Sequence, residues 1–375
     1  MSQSPHTATD FAADSTDSAV GQDRPQLRGI LQEIVDSGIT GIQLRVHDDR
    51  GAWVATAGAA ELDRDARPPA DGHVRIGSNT KTFTATLVLQ LVAEGKVDLD
   101  APAVDHLPEF DLDRRITVRM LLQHTSGVFN HTGEFDPDGT VVPGITSTIA
   151  GKEWVENRCH TYRPQDLARL SLSKPPRFEP GAGWSYSNTN YVLARLLVEN
   201  VTGRPITEVT QERILDPLGL TGTVVPGTSQ DIPEPYAHAY YRYEDAGRPH
   251  TVDVSHQNPS WVDAGGDMIS TTRDLHTFIS ALARGELVPA PLLAEMSTPH
   301  PDSGFGLGLR IQQAGAGTLL FHNGGHSGHA ALMYSTADGS RTLTAALNYV
   351  DDAAMTLAVP FMKAQERLVE AVFGS

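Results

Sequence analysis

The chain has 375 residues, 39% of them hydrophobic and 20% charged, with a formal net charge of −17. That length can bury one large core or two, while the acidic balance argues against nucleic acid and acidic membrane surfaces, which call for a basic patch. A single cysteine, Cys159, excludes an intramolecular disulfide, and no stretch approaches 18 apolar residues, so neither a transmembrane helix nor an uncleaved secretion signal is expected.

Residues 1–24 are rich in Ser, Thr, Asp and Ala and read as a disordered leader. A short helix is predicted around Leu27 to Val35. Gly41 to Val46 and Ala52 to Thr56 then form the arms of a hairpin joined at Asp48-Asp49-Arg50-Gly51. Next comes Ile76-Gly77-Ser78-Asn79-Thr80-Lys81, opening a segment in which Phe83, Leu87 and Leu91, with Val88 and Val92, give the 3.6-residue period of an amphipathic helix that Gly95 caps.

Ser78 and Lys81 form an S-x-x-K pair. The first turn of a helix offers unpaired N–H groups and the positive end of its dipole to any developing negative charge. Residues i and i+3 share a face, so Lys81 can reach the hydroxyl and take its proton. The competing reading is an ordinary N-capping serine. Of the 29 basic residues only five are lysine, which makes chance matches uncommon, yet a second one exists. Ser171-Leu172-Ser173-Lys174 runs into Pro175-Pro176, which forbids a following helix, and is read as a decoy.

From about Leu99 to about Pro259 the chain reads as helices and Pro/Gly-bearing loops, with helical patterns near Val118 to Gln123, Gln165 to Leu172, Tyr191 to Asn200 and Ile206 to Ile214. Strand signals return at Met268 to Ser270, Gly306 to Ile311, Thr318 to Phe321, Ala330 to Tyr334 and Thr342 to Leu347, and a last helix is predicted over Ala354 to Val372. The economical fold is α+β: an antiparallel sheet built by residues 25–98 and 260–375, flanked by the terminal helices, with an all-helical lobe, 99–259, inserted between its halves.

Three further segments supply what a nucleophilic serine needs. In Gly183-Trp184-Ser185-Tyr186-Ser187-Asn188, a phenol and an amide two residues apart face one cleft in extended chain. A Tyr186 whose pKa is lowered by nearby cations could relay a proton; otherwise it anchors a loop. In Phe321-His322-Asn323-Gly324-Gly325, at the end of a strand signal, His322 could hold positive charge near a substrate, and the glycines allow close backbone approach. A structural histidine is the alternative. Gly306 to Arg310 is the third, a candidate carboxylate clamp. His322, His326 and His329 also invite a metal reading, but Gly324, Gly325 and Gly328 oppose the helix that would align them, no H-E-x-x-H is present, and neither metal nor organic cofactor is expected. No G-x-S-x-G elbow occurs either.

S-x-x-K at Ser78, Y-x-N at Tyr186 and Asn188, and H-x-G at His322, Asn323 and Gly324, in that order, resemble the penicillin-binding-protein and class C β-lactamase-like serine hydrolases. Leu121 to Gly127, Glu179-Pro180-Gly181, Ala264 to Thr271 and Gly306 to Leu309 extend the likeness from about Gln26 to the C-terminus. Within that group the similarity is greatest to actinobacterial D-alanyl-D-alanine carboxypeptidases. The resemblance implies a β-lactamase/transpeptidase-like fold and a Ser78 acyl-enzyme, with Lys81 and Tyr186 moving protons, Asn188 binding the acyl-side amide and His322 supporting Tyr186. The N–H groups of Ser78 and Gly325 would meet the oxyanion. Asn323 and Gly324 would line the substrate path, with Trp261 a cleft aromatic or a core tryptophan. Arg310 would bind a terminal carboxylate or face solvent; Asn323 and Gly325 stand where that pattern has hydroxyls.

The implied substrate is a small amide or peptide, D-alanyl-D-alanine carboxypeptidase-like, with no nucleic-acid or membrane partner. Without a visible export signal the expected location is cytoplasmic, or secreted if the native signal lies outside this sequence; the cytoplasmic reading keeps a transacylase, peptide cyclase or esterase of specialised metabolism as the alternative. A β-lactamase stands third, and a penicillin-binding sensor without turnover represents a different class.

Overall fold

The computed structural model describes residues 21–135, 140–144 and 151–374. Positions 1–20 of the expected leader lie outside the described residues. Arg24, inside the expected leader, is buried, and its guanidinium forks onto both carboxylate oxygens of Asp48 at 2.6 and 2.7 Å.

In chain order, α1 (Pro25–Asp36) precedes the hairpin β1 (Gly41–Asp48) and β2 (Gly51–Gly58); β3 (Val74–Arg75) precedes α2 (Thr80–Ala93). The middle of the chain holds α3 (Val118–Gln123), β4 (Glu134–Phe135), β5 (Val141–Val142), α4 (Gly151–Asn157), α5 (Pro164–Leu172), α6 (Asn188–Thr202), α7 (Ile206–Thr210), α8 (Asp216–Leu218), β6 (Tyr240–Asp245) and β7 (Arg248–Asp253). Then follow β8 (Ile269–Ser270), α9 (Thr272–Ala283), α10 (Ala290–Met296), β9 (Arg310–Ala314), β10 (Gly317–His326), β11 (His329–Thr336), β12 (Thr342–Asn348), β13 (Val350–Asp352) and α11 (Ala358–Phe373).

Six strands from both ends of the chain make one antiparallel sheet in the order β2-β1-β12-β11-β10-β9. Alternation along each strand sends side chains to opposite faces. On one face, Ile42, Leu44, Leu332, Tyr334, Leu343 and Ala345 pack under α1 and α11 through Leu27, Ile30, Leu31, Leu368 and Phe373. On the other, Leu320, Ala331, Met333 and Ala346 join a larger core that includes Phe83 and Leu87 of α2, Tyr191 and Leu197 of α6, and Leu275 and Phe278 of α9. The sheet with helices on both faces is the expected α+β sandwich.

Four expectations need correction. First, α2 is not amphipathic: every residue from Thr80 to Leu89 is buried, and so is Leu91. Its threonines enter the core because each hydroxyl finds a carbonyl, Thr82 on Gly308, Thr84 on Ala264 and Thr86 on Thr82. Truncating Leu87, 1% exposed, would cost about 2–5 kcal/mol. Second, the middle of the chain is not all-helical. β6 and β7 form a hairpin that β13 joins in parallel, and β4 pairs with β5.

Third, the strand expected over Gly306 to Ile311 starts only at Arg310. Gly308, at φ 81, lies so close to α2 that a Cβ there would meet the Ala85 methyl at 2.3 Å. Fourth, β10 does not stop at Phe321 but continues to His326, whereas its partner β9 pairs with it only as far as Phe321. Residues 322–326 of β10 therefore carry no β9 partner on that edge.

Candidate active site

Gly77, Ser78 and Asn79 form one 3₁₀ turn between β3 and α2. Gly77 has φ 51, and a side chain there would strike the backbone of Gly325 at 2.5–2.9 Å. From the other side, a Cβ on Gly324 would lie 1.8 Å from Ile76 O and 2.8 Å from Ser78 N. Two glycines thus let the serine turn and the free edge of β10 touch backbone to backbone. Asn79 fastens the turn, its amide donating to Ile76 O at 2.8 Å and to Ala331 O at 3.1 Å. Ser78 is half-buried while Gly77, Asn79 and Thr80 are buried, so the hydroxyl is the part of the turn left open.

Lys81 Nζ lies 3.2 Å from Ser78 Oγ, 2.7 Å from Asn188 Oδ1 and 2.5 Å from Gly265 O. Its side chain is fully buried with no carboxylate beside it, and burial pushes its pKa well below the ordinary lysine value. The neutral amine has two N–H bonds for the two closer acceptors, the amide oxygen and the carbonyl. Its lone pair then faces the serine hydroxyl, which is the arrangement a general base needs. Tyr186 Oη donates to Ser78 Oγ at 2.7 Å. Here the expectation of a phenol acidified by cations is overturned: Tyr186 is driven upward by burial and stays a proton donor.

Asn188 begins α6 and faces the same site as Tyr186. Its Oδ1 accepts a hydrogen bond from Lys81 Nζ, and its amide donates to Thr132 Oγ1 at 3.0 Å, so both ends of the side chain are engaged in holding the base. His322 is brought to the site: it stands across Phe305, whose ring lies 5.9 Å from the imidazole and 6.0 Å from Tyr186. It is not a cation there. Burial, with Lys81 nearby, pushes its pKa down to about 3. Nδ1 meets Asn323 O at 2.7 Å, and the buried Nε2 has no hydrogen-bond partner among the described residues.

The remaining expected residues separate. Asn323 turns to the opposite face of the sheet, where its amide donates to Tyr334 Oη at 3.1 Å. The Ser78 face of β10 instead carries Leu320, His322 and Gly324, as alternation requires. Trp261 is half-buried, packs edge-on against His326 at 5.4 Å and lines a cavity with Gly324 and Gly325. Arg310 is exposed, lies over the rings of Phe305 and Phe321 at 5.2 and 5.4 Å, and has no carboxylate partner among the described residues. The decoy is structural: Ser171 is buried, with Oγ 2.8 Å from Thr189 Oγ1.

Sequence reasoning missed Gly265, Thr132 and Phe305. Gly265 acts through a backbone carbonyl, which no residue type announces. Its only sequence signal was membership of the Ala264 to Thr271 segment. Asn130 was missed too; its Oδ1 accepts from Asn188 N at 3.0 Å.

The Beta-lactamase family profile matches residues 27–357. This chain belongs to the β-lactamase family. Its fold is that of the penicillin-binding-protein and class C β-lactamase-like superfamily. A D-stereospecific amidohydrolase from Streptomyces sp. is 38% identical with a TM-score of 0.80, the match covering 94% of this chain and 99% of that one. A D-amino acid amidase from Ochrobactrum anthropi SV3, complexed with L-phenylalanine amide, is 27% identical with a TM-score of 0.76, covering 92% and 99%. The putative penicillin-binding protein PbpX of Bacillus subtilis is 27% identical over 236 residues, 63% of this family member and 53% of that protein. The chain thus spans about half the length of the curated relatives it matches. No helix among the described residues is long and apolar enough to cross a membrane.

Proposed function

We propose that the chain is an amidohydrolase that forms an acyl-enzyme at Ser78 with small amides or short peptides of D-amino acids. The observation that carries this reading is the contact of one hydroxyl with both a neutral amine and a protonated phenol, Lys81 at 3.2 Å and Tyr186 at 2.7 Å. The whole-length likeness to a D-stereospecific amidohydrolase and a D-amino acid amidase supports the substrate class.

In this mechanism the Ser78 O–H proton passes to Lys81 Nζ as Oγ bonds to the substrate carbonyl carbon. The resulting oxyanion is met by the N–H groups of Ser78 and Gly325, which the Gly77 and Gly324 contact holds side by side. Tyr186 gives its proton to the departing nitrogen as the C–N bond breaks, and Lys81 returns one to the phenol. Water then attacks the ester, with the same groups moving protons in reverse, and Ser78 is released. An amine in place of water makes the reaction an acyl transfer.

The test is mass spectrometry of the intact protein after exposure to D- and L-amino acid amides, D-Ala-D-Ala peptides, β-lactams and p-nitrophenyl esters. An acyl adduct on Ser78 from the D-amides, cleared by water, is the expected result. An adduct that forms only with β-lactams and never clears would replace this reading with a penicillin-binding sensor. A carboxypeptidase reading has one observation in its favour, the unpaired Arg310 guanidinium across Phe305 from the Tyr186 phenol. Faster turnover of D-Ala-D-Ala acids than of the matching amides would select it.

A further inference from the structure

Beyond the serine lies a cavity of about 400 Å³ that begins at Gly324 and Gly325 and runs away from the catalytic turn between Trp261, Tyr349 and the start of α11. Its walls are mostly apolar: Ile39, Ala330, Leu357, Ala358 and Phe361, with Met355 at 60% exposure on the rim. A Cβ added at Gly325 would meet nothing within 4 Å, so the bare backbone of the reaction edge opens onto this space. Asn323, whose amide is tied to Tyr334, and Ser327 are among the polar side chains of the lining, and two others bear on what the cavity would bind. His326 is 4% exposed, and neither ring nitrogen has a hydrogen-bond partner among the described residues. Asp351 accepts only backbone N–H groups, from Asp352 at 2.9 Å and from Gly328, and no Lys, Arg or His pairs with it among the described residues.

A carboxylate on the wall of an apolar cavity is costly unless something fills the place of a cation. We propose that this cavity is a subsite for an ammonium group carried on an apolar body, with Asp351 as its counter-ion and the Trp261, Tyr349 and Phe361 walls taking the body. This rests on the acyl-enzyme reading above and names what that enzyme selects. Such a group has two sources, the free amine of the acyl donor or a second amine on a nucleophilic acceptor. Neutral His326 serves either by accepting an N–H at a ring nitrogen.

The experiment compares wild type with Asp351→Asn on D-phenylalanine amide and N-acetyl-D-phenylalanine amide, and measures how hexylamine and 1,6-diaminohexane divert the acyl-enzyme from water. Loss by at least tenfold of the preference for the free-amine donor supports the subsite on the donor side. Loss of the preference for the diamine supports it on the acceptor side. Both preferences unchanged in a folded Asp351→Asn protein would overturn the proposal. Fluorophosphonate labelling of Ser78 in both proteins separates this failure from failure of the serine reading: a labelled but indiscriminate enzyme rejects only the subsite.

Discussion

Lys81 Nζ sits closer to the carbonyl of Gly265, at 2.5 Å, than to the hydroxyl it would deprotonate, at 3.2 Å. A backbone oxygen therefore aims the amine. Gly265→Ala tests this, because the new methyl would come within 3.3 Å of Nζ and 3.2 Å of Asn188 Oδ1. The acylation rate is expected to fall by up to about 100-fold with the melting temperature nearly unchanged. Rapid-quench acylation at wild-type rate would show that the carbonyl does not position the base.

The two S-x-x-K serines should behave differently. Ser78→Ala should abolish labelling by a fluorophosphonate, whereas Ser171→Ala should keep full labelling and lose only about 1 kcal/mol of stability for its buried hydrogen bond to Thr189. Gel fluorescence and urea unfolding read the two effects separately.

The buried amine also predicts a sign for pH. Lys81's folded pKa lies below its ordinary 10.5, so between the two values the unfolded chain binds a proton that the native one does not. Stability from this residue is therefore fully present above about pH 10.5 and declines as pH falls toward the folded value. Relative to Lys81→Met, wild type should gain melting temperature between pH 7 and 10, and its acylation rate should drop on the acid side as the amine gains a proton. Parallel melting curves for the two proteins would contradict a depressed pKa.

Asp267 should bend the curve the other way. It is buried, with Oδ1 unpartnered, and burial beside Asp263 raises its pKa to about 8. Its contribution is fully present below about pH 3.8 and is lost progressively as pH rises from there to about 8. Asp267→Asn should be nearly equal to wild type at pH 4 and clearly more stable than it at pH 8, by thermal melting at both.

The glycines of the reaction edge should not be equivalent. Gly324→Ala puts a methyl 1.8 Å from Ile76 O and should cost at least about 1–3 kcal/mol and most acylation. Gly325→Ala points into open space and should fold with the wild-type melting temperature by differential scanning calorimetry.

Most of the sheet and the Ser78, Lys81, Tyr186, Asn188 and His322 set were legible because their signals are local: period, turn residues and short motifs. What escaped was set by tertiary context. The β6–β7 hairpin hides behind a mostly exposed β7, charged residues toward the end of β6 and a turn with Ala246 at φ 49 beside Gly247 at φ 73, where Asn-Gly would have announced it. The charge states of Tyr186 and His322 could not be read from neighbours in sequence, since enclosure, not a nearby charge, dominates both. The depth of α2 was misjudged because threonine reads as polar until a carbonyl is found for it.

Lys81 and Ser78 are three residues apart, but the oxygens of Asn188 and Gly265 that aim the amine come from 107 and 184 positions away. A nascent or loosened chain keeps the motif and regains an ordinary, protonated lysine. The depressed pKa of this lysine is thereby a property of the assembled fold, absent until distant parts of the polypeptide have met.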